Sequence, residues 1–357
     1  MNTVTDISVE KVTQSRLPNV DLDHPGFGRI FSDHMYEAEY RDGSWQNPVI
    51  KPYDTIEVQP ALNVFHYGQT VFEGTKAYYV DDRTINLFRP GKNFNRMVDS
   101  CKRMCIPEIN HEMFLGGIKE LIKLDHRWVP QKEGNALYIR PFAIAFEPVI
   151  AAKVSDRYRF YIITSPVGAY YDEPVKLITS QNYVRAVKGG VGEAKTAANY
   201  AASMYPAMKA KELGFHQILW LDALEHKYVE EVGTMNIFFL IDDVLITPPL
   251  QGTILPGVTR ASVLQLAESW GMDVQERMIS IDEVMQAGRE GSLQEVFGSG
   301  TAAVVAPVKE IQHKGESIII HKERRGPVGQ KLYDTIYGIQ RGQVEDSFNW
   351  TEQVKVG

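Results

Sequence analysis

Only two of the 357 residues are cysteine, and Cys101 and Cys105 stand four apart in DSCKRMCIP. That spacing is neither the CxxC of a redox pair nor half of a zinc ribbon, and two thiols cannot staple a small secreted fold. A helix would set them on one face, so both are expected as buried, reduced thiols. Long apolar runs are also missing. No stretch approaches the roughly 18 apolar residues of a membrane span, and the start MNTVTDISVEKVTQSR has no apolar leader. A cytoplasmic protein with no membrane partner is expected. Positive charge is not in excess: 38 Lys and Arg stand against 45 Asp and Glu, a net charge of −7. This argues against a nucleic-acid footprint or a polybasic membrane contact. Nine histidines occur without HExxH or paired Cys/His spacing, so no metal site is expected. A GxSxG nucleophile elbow is absent as well. Small-molecule chemistry is what these absences leave.

What is present is a globular composition, 44% hydrophobic and 23% charged. The length favours two domains. Residues 1–168 are expected to form the first, with residues 1–24 a polar, loosely held arm. Residues 169–180 form the linker, around YYDEPVKL with Gly168 and Pro174, and residues 181–357 the second domain. Strand character begins in FGRIFSDHMYEAEY and recurs in ALNVFHYGQTVFEGTKAYYVDDRTINLF, where Gly74 and DDR separate the runs. Pro90 opens a helix over PGKNFNRMVDSCKRM, flanked by Arg89 and carrying Arg96. FLGGIKELIKLDHRWVP shows helical spacing. NALYIRPFAIAFEPVI alternates strand-wise and puts Tyr138 and Arg140 on one face, where two donors suit a carboxylate. In the second half TAANYAASMYPAMKAKELG reads as a helix stopped by Gly214, and HQILWLD and MNIFFLI read as strands. DD is a hairpin turn, and TRASVLQLAESWG is a helix with Thr259 as N-cap and Gly271 as stop. HKGESIIIH and GPVGQKLYDTIYGIQRG read as a hairpin arm and a closing helix.

The densest chemistry lies between Gly189 and Asn236. GGVGEAKTAANYAASMYP sets Lys195 among glycines and alanines with Glu193 beside it, and EEVGTMNIFFL brings Glu230 and Glu231 in front of an apolar strand. A lysine ringed by small residues has room for a bulky group at its nitrogen, and Schiff-base chemistry with pyridoxal phosphate is the best-known use of such an amine. That cofactor needs an acid for its ring nitrogen, a donor for its ring oxygen and a phosphate cup. Glu231, Tyr200 and the turns LPGVTR and GSGTA answer these in turn. Glu230 and Glu231 point to opposite faces of a strand, so only one of them can serve. A rival reading takes GGVGEAKT as a P-loop, with Asp222 at the end of ILWLD holding Mg²⁺. Ala194 obstructs the backbone approach that the second glycine of GxxxxGK[ST] allows.

KGGVGEAKTAANY, EEVGTMN, ILPGVTR and FGSGTA, in this order, together with HYGQTVFEGTKAY, LFRPGKNFNRM and LYIRPF, make the chain resemble the branched-chain amino acid aminotransferases. These are pyridoxal phosphate enzymes of fold type IV, and the resemblance runs from about Gly28 to about Pro307. It implies a mixed α/β fold, with a smaller N-terminal α/β domain and a larger C-terminal pseudo-barrel domain that binds the cofactor. The implied reaction moves the amino group of L-leucine, L-isoleucine or L-valine to 2-oxoglutarate. Lys195 is then the catalytic lysine, Tyr200 and Glu231 hold the ring, and Arg96, Val258, Thr259 and Thr301 hold the phosphate. Tyr67, Thr234 and Ala302 take the substrate α-carboxylate. Phe31, Phe72, Tyr138 and Tyr170 line the side-chain pocket, and Arg140 meets the distal carboxylate of glutamate. The loop around Ile150 to Ala152 is expected to complete a neighbouring subunit's pocket, which requires a homodimer. D-amino acid aminotransferase and aminodeoxychorismate lyase share the fold, but YIRP and HYGQTVFEG speak for the branched-chain group. AVVA stands where some members carry a CxxC, so thiol redox control is not expected.

Overall fold

The computed structural model describes residues 6–168, 173–320 and 325–357. The described chain falls into two compact units. One takes the residues up to Gly168 together with Ala194–Ala197 and Ile339–Gly357, and the other takes Glu173 to Glu193 with the described part of Ala198–Gly338. No helix among the described residues is long and apolar enough to cross a membrane.

The first unit is built on a nine-stranded sheet. From edge to edge it runs Ser8–Val9, Ser44–Pro52, His34–Arg41, Tyr158–Val167, Ala136–Ala145, Thr75–Asp81, Thr84–Phe88 and Thr351–Lys355, with Thr70–Phe72 added onto Ala136–Ala145. Its pairs are antiparallel except the one between Ser8–Val9 and Ser44–Pro52. The alternation read in ALYIRPFAIA is realised as alternating burial. Leu137, Ile139, Ala143 and Ala145 enter the core, while Tyr138, Arg140 and Phe142 stay half-buried on the other face. Helices Pro90–Arg103 and Gly117–Leu124 cover the core side through Met97, Cys101, Ile118 and Leu121. Gly117 permits the close approach, since a Cβ there would lie 3.0 Å from Ile162 and 3.1 Å from the Tyr36 ring.

The second unit has its own mixed nine-stranded sheet. The order is Val229–Val232, Gln217–Leu221, Val175–Thr179, Val304–His313, Leu293–Gly300, Asn236–Ile241, Val244–Thr247 and Asp273–Glu276, with Glu316–Ile319 paired to Val304–His313. Leu177, Leu219, Val232, Ile237, Phe239 and Val308 form its core, with Val284 and Met285 of helix Ile281–Glu290 packed on them. The DD turn is a two-residue hairpin in which Asp242 and Asp243 hold φ of 48° and 64°, the twist that suits antiparallel strands.

Three expectations change. The first concerns Cys105, which is exposed while Cys101 is buried. The helix ends at Arg103, and Cys105 turns away with φ of 53°, so helical spacing does not extend to it. The second concerns the strand read into FGRIFSD, which starts only at His34, because Asp33 faces the arm and Gly28 holds φ of 68°. The third is the looseness of the arm, whose described part is pinned. Ser15 Oγ and the Arg16 N–H donate to Asp33 at 2.5 and 2.9 Å, and the Val12 N–H donates to His34 Nε2 at 3.0 Å. Burial pushes the Asp33 carboxyl up, but the Ser15, Arg16 and Trp128 donors outweigh it and leave it below the usual range. A depressed carboxyl stabilises above its unfolded pKa and loses that contribution as pH falls through the folded value. Asp33→Ala should therefore cost about 1–3 kcal/mol at neutral pH and open Lys11 and Arg16 to trypsin, read by limited proteolysis. Equal cleavage of the parent would refute the pinning.

Candidate active site

Each unit carries its own set of the residues singled out in the sequence. In the first, the face of helix Pro90–Arg103 that bears Asn93, Arg96 and Ser100, spaced by three and four, turns towards Thr70–Phe72 and the lysine strap. Arg96 donates from Nε and Nη2 to Glu73 at 2.7 and 2.9 Å, and Asn93 Nδ2 donates to the same carboxylate at 2.8 Å. The Gly74 N–H adds a fourth donor at 3.1 Å. Glu73 is fully buried and Arg96 nearly so. Burial pushes the Glu73 carboxyl up, yet the Arg96 charge and hydrogen bonds, with Lys195 adding its field, leave it below the usual range.

Lys195 is fixed by its backbone. Its N–H donates to Ser100 Oγ at 2.9 Å, its carbonyl accepts from the Phe72 N–H at 3.0 Å, and Thr196 bridges to Val71. The amine lies 4.9 Å from the centre of the Phe72 ring, and the Arg140 guanidinium lies 4.6 Å from the same centre. Arg140 Nη2 donates to the Tyr138 hydroxyl at 3.0 Å, and among the described residues its Nε is buried without a hydrogen-bond partner. Tyr138 has room because residue 74 is glycine, where a Cβ would strike the tyrosine hydroxyl. Phe27, which the sequence did not single out, packs 5.4 Å from the Tyr138 ring. Phe31 stacks on Tyr53 at 4.8 Å, half-buried. Tyr67 ends a short helix and is exposed, as are Ile150 and Ala152. Lys76, also unread, sits opposite Tyr138 on the neighbouring strand, and burial pulls its amine down to about 8.

The second unit brings Tyr200, Glu231 and Thr234 to one small cleft, shared with Arg185, Asn199 and Leu255. Glu231 is buried in strand Val229–Val232, its Oε2 2.8 Å from Arg185 Nε and its Oε1 accepting from the Leu255 N–H at 2.6 Å. Neither partner was read from the sequence. Helix Val258–Ser269 has Gly257, not Thr259, as its N-cap, and no side chain caps it. Gly257 must be bare, since a Cβ would collide with Asn236 Oδ1. Thr259 sits one step inside the helix, which leaves the first-turn N–H groups at Val258 and Thr259 suited to an anion. Thr301 and Ala302 occupy the turn after Leu293–Gly300, closed by Val304 with φ of 59°, an uncommon conformation for a β-branched residue. Tyr170 lies outside the described residues. Asp222 is not placed for a metal ion. Its two carboxylate oxygens accept from the N–H groups of Leu224, Glu225, Lys227 and Tyr228, which makes it a turn residue and removes the P-loop reading's magnesium ligand.

The Glu73–Arg96 pair generates a test. Removing one partner of a buried pair costs about 3–5 kcal/mol, so Glu73→Gln should destabilise by that order at pH 7. The depressed carboxyl contributes above its unfolded pKa of about 4.3 and loses the contribution as pH falls through the folded value. The gap between parent and variant in denaturant titrations should thus close towards pH 3, and a constant gap would point to packing instead.

Comparison with known proteins gives this arrangement its context. The amino-transferase class IV family model matches residues 70–311. Branched-chain-amino-acid aminotransferase 2 of Bacillus subtilis (strain 168) is 50% identical over 96% of this chain and 96% of its own. The branched-chain aminotransferase of Thermoproteus uzoniensis, solved with norvaline, has a TM-score of 0.74 at 27% identity, covering 90% of this chain and 99% of that one. The T.th. branched-chain amino acid aminotransferase, solved with N-(5'-phosphopyridoxyl)-L-glutamate, has a TM-score of 0.70 at 26% identity, covering 88% and 97%. With half its residues shared along nearly its whole length and a fold matched to solved members, the chain belongs to the class IV aminotransferases, on their branched-chain branch.

Proposed function

We propose that this protein is a pyridoxal 5'-phosphate-dependent branched-chain amino acid transaminase, exchanging the amino group of L-leucine, L-isoleucine or L-valine with 2-oxoglutarate. The observation that carries the reading is Lys195, held by Ser100 and Phe72 beside the ring that Arg140 also approaches. The donor set fits the cofactor. A bare Gly257, an uncapped helix start and a guanidinium at Arg96 suit a phosphate, and an acid held by Arg185 suits a protonated ring nitrogen. When bound, pyridoxal phosphate supplies an aldehyde carbon for an amine and a ring that accepts the electron pair left when the amino acid loses its α-hydrogen.

The chain's own residues do the rest. Lys195 Nζ would hold the cofactor, and the same amine is placed to take the proton from the substrate α-carbon. Glu231 would meet the ring nitrogen, and Tyr200 the ring oxygen. Arg96, the N–H groups of Val258 and Thr259, and the Thr301 hydroxyl would hold the phosphate. Tyr67, Thr234 and the Ala302 N–H take the α-carboxylate. Phe31, Phe72 and Tyr138 would form the apolar wall. Arg140 serves glutamate and 2-oxoglutarate, since a cation stacked on two rings tolerates an apolar side chain and pairs with a carboxylate when one arrives. The exposed Phe65, Ile150 and Val154, 60%, 70% and 53% accessible, support a homodimer in which the Ile150 to Ala152 loop completes the partner's pocket.

Borohydride reduction followed by peptide mapping should place the pyridoxyl group on Lys195, and a label on another lysine would overturn the reading. L-leucine should outpace D-alanine as donor to 2-oxoglutarate. Losing hydrogen bonds to a charged group is worth about 1.5–3 kcal/mol, so Arg140→Met should raise KM for 2-oxoglutarate at least tenfold and leave that for leucine within about twofold. An equal rise for both would deny Arg140 the distal carboxylate.

A further inference from the structure

Glu230 is the neighbour of Glu231 that the mechanism does not use, and it is 8% exposed. The two side chains leave strand Val229–Val232 on opposite faces, yet both hold the same short segment. Thr253 Oγ1 donates to Glu230 Oε1 at 2.6 Å, and two residues on the Leu255 N–H donates to Glu231 Oε1 at 2.6 Å. Thr253 also carries the link to Arg185, whose Nη1 donates to the Thr253 carbonyl at 2.7 Å while its Nε meets Glu231. Gly192 packs against that carbonyl, which leaves Thr253 little freedom.

From this geometry we infer that Glu230 is a positioning residue: through Thr253 it fixes the Arg185 guanidinium and the Leu255 N–H, and so the orientation of the Glu231 carboxylate. The inference rests on the assignment of Glu231 to the cofactor's ring nitrogen.

The Arg185 donors go to Glu231 and to the Gly192 and Thr253 carbonyls. The far side of Glu230 closes a cavity of about 180 Å³ whose lining includes Val187, Tyr228, Pro248, Ile254 and Met278. Its Oε2 is buried without a hydrogen-bond partner among the described residues. Burial raises the Glu230 carboxyl, with Asp222 adding to the rise, while Thr253 and Arg185 oppose it. Lys188 and Glu225 also line this cavity. Glu230 is thus held through the Thr253 hydroxyl, which donates to its Oε1. Its role is therefore that of an acceptor and not of a charge, and a neutral isostere should replace it.

The test uses the holoenzyme with Glu230→Gln, Glu230→Ala, Thr253→Val and, as control, Glu231→Ala. Two readouts are taken, the pH titration of the lysine-bound cofactor's absorption band and the rate of cofactor loss on dilution. Glu230→Ala and Thr253→Val should move the titration by roughly one pH unit and speed cofactor loss up to about tenfold, the scale of one lost hydrogen bond. Glu230→Gln should stay close to the parent in both. A parental titration in Glu230→Ala or Thr253→Val would overturn the proposal, as would a Glu230→Gln shifted as far as Glu230→Ala. A Glu231→Ala enzyme that titrates like the parent would instead sink the ring-nitrogen assignment beneath it.

Discussion

The ion pair between Arg185 and Glu231 is the constraint around which the second unit's cleft is built. A carboxylate that must stay ionised away from water needs a partner and hydrogen bonds, or burial neutralises it. Strand Val229–Val232 meets this need with a fork of donors that arrive from elsewhere in the unit, the Arg185 side chain from one loop and the Leu255 backbone from another. Those loops are not free to be anything else. Arg185 also donates to the Gly192 and Thr253 carbonyls, and the segment that supplies Leu255 runs on into Gly257 and the open helix start. The acid and the anion cup thus belong to one hydrogen-bonded piece of chain.

The first unit solves a similar problem with the signs exchanged. Arg96 has a full-time partner in Glu73, which fixes its fork. The same helix face then steadies the lysine by its backbone through Ser100, leaving the long side chain to reach across the Phe72 ring. Anchoring Lys195 by its backbone restrains the main chain and leaves the side-chain torsions available.

Much of this was legible because the chemistry depends on local pattern. Lys195 is set among small residues, Tyr138 and Arg140 share a strand face, and Glu230 and Glu231 fall on opposite sides of theirs, all of which follow from spacing and residue type. The family resemblance then chose Glu231 from the pair. What escaped was everything decided by distant partners. Glu73 and Arg96 are 23 residues apart and Arg185 stands far from Glu231 along the chain, so no periodicity announces either pair. Sequence pattern misplaces a helix end where tertiary contacts override the ordinary cap. Thr259 is the better N-cap by type, but the clash that a side chain at 257 would meet marks the true boundary. The arm reads as loose because its residues are polar, whereas their partners, Asp33 and His34, are supplied by the sheet and its approach.

The strand Thr351–Lys355 pairs with Thr84–Phe88 at the margin of the first unit's sheet, and Val354 and Val356 enter its core. These residues are synthesised only after the whole of the second unit. An N-terminal portion emerging from the ribosome would therefore expose the Thr84–Phe88 edge until the second unit has been made, so the sheet begun first is closed only after its neighbour.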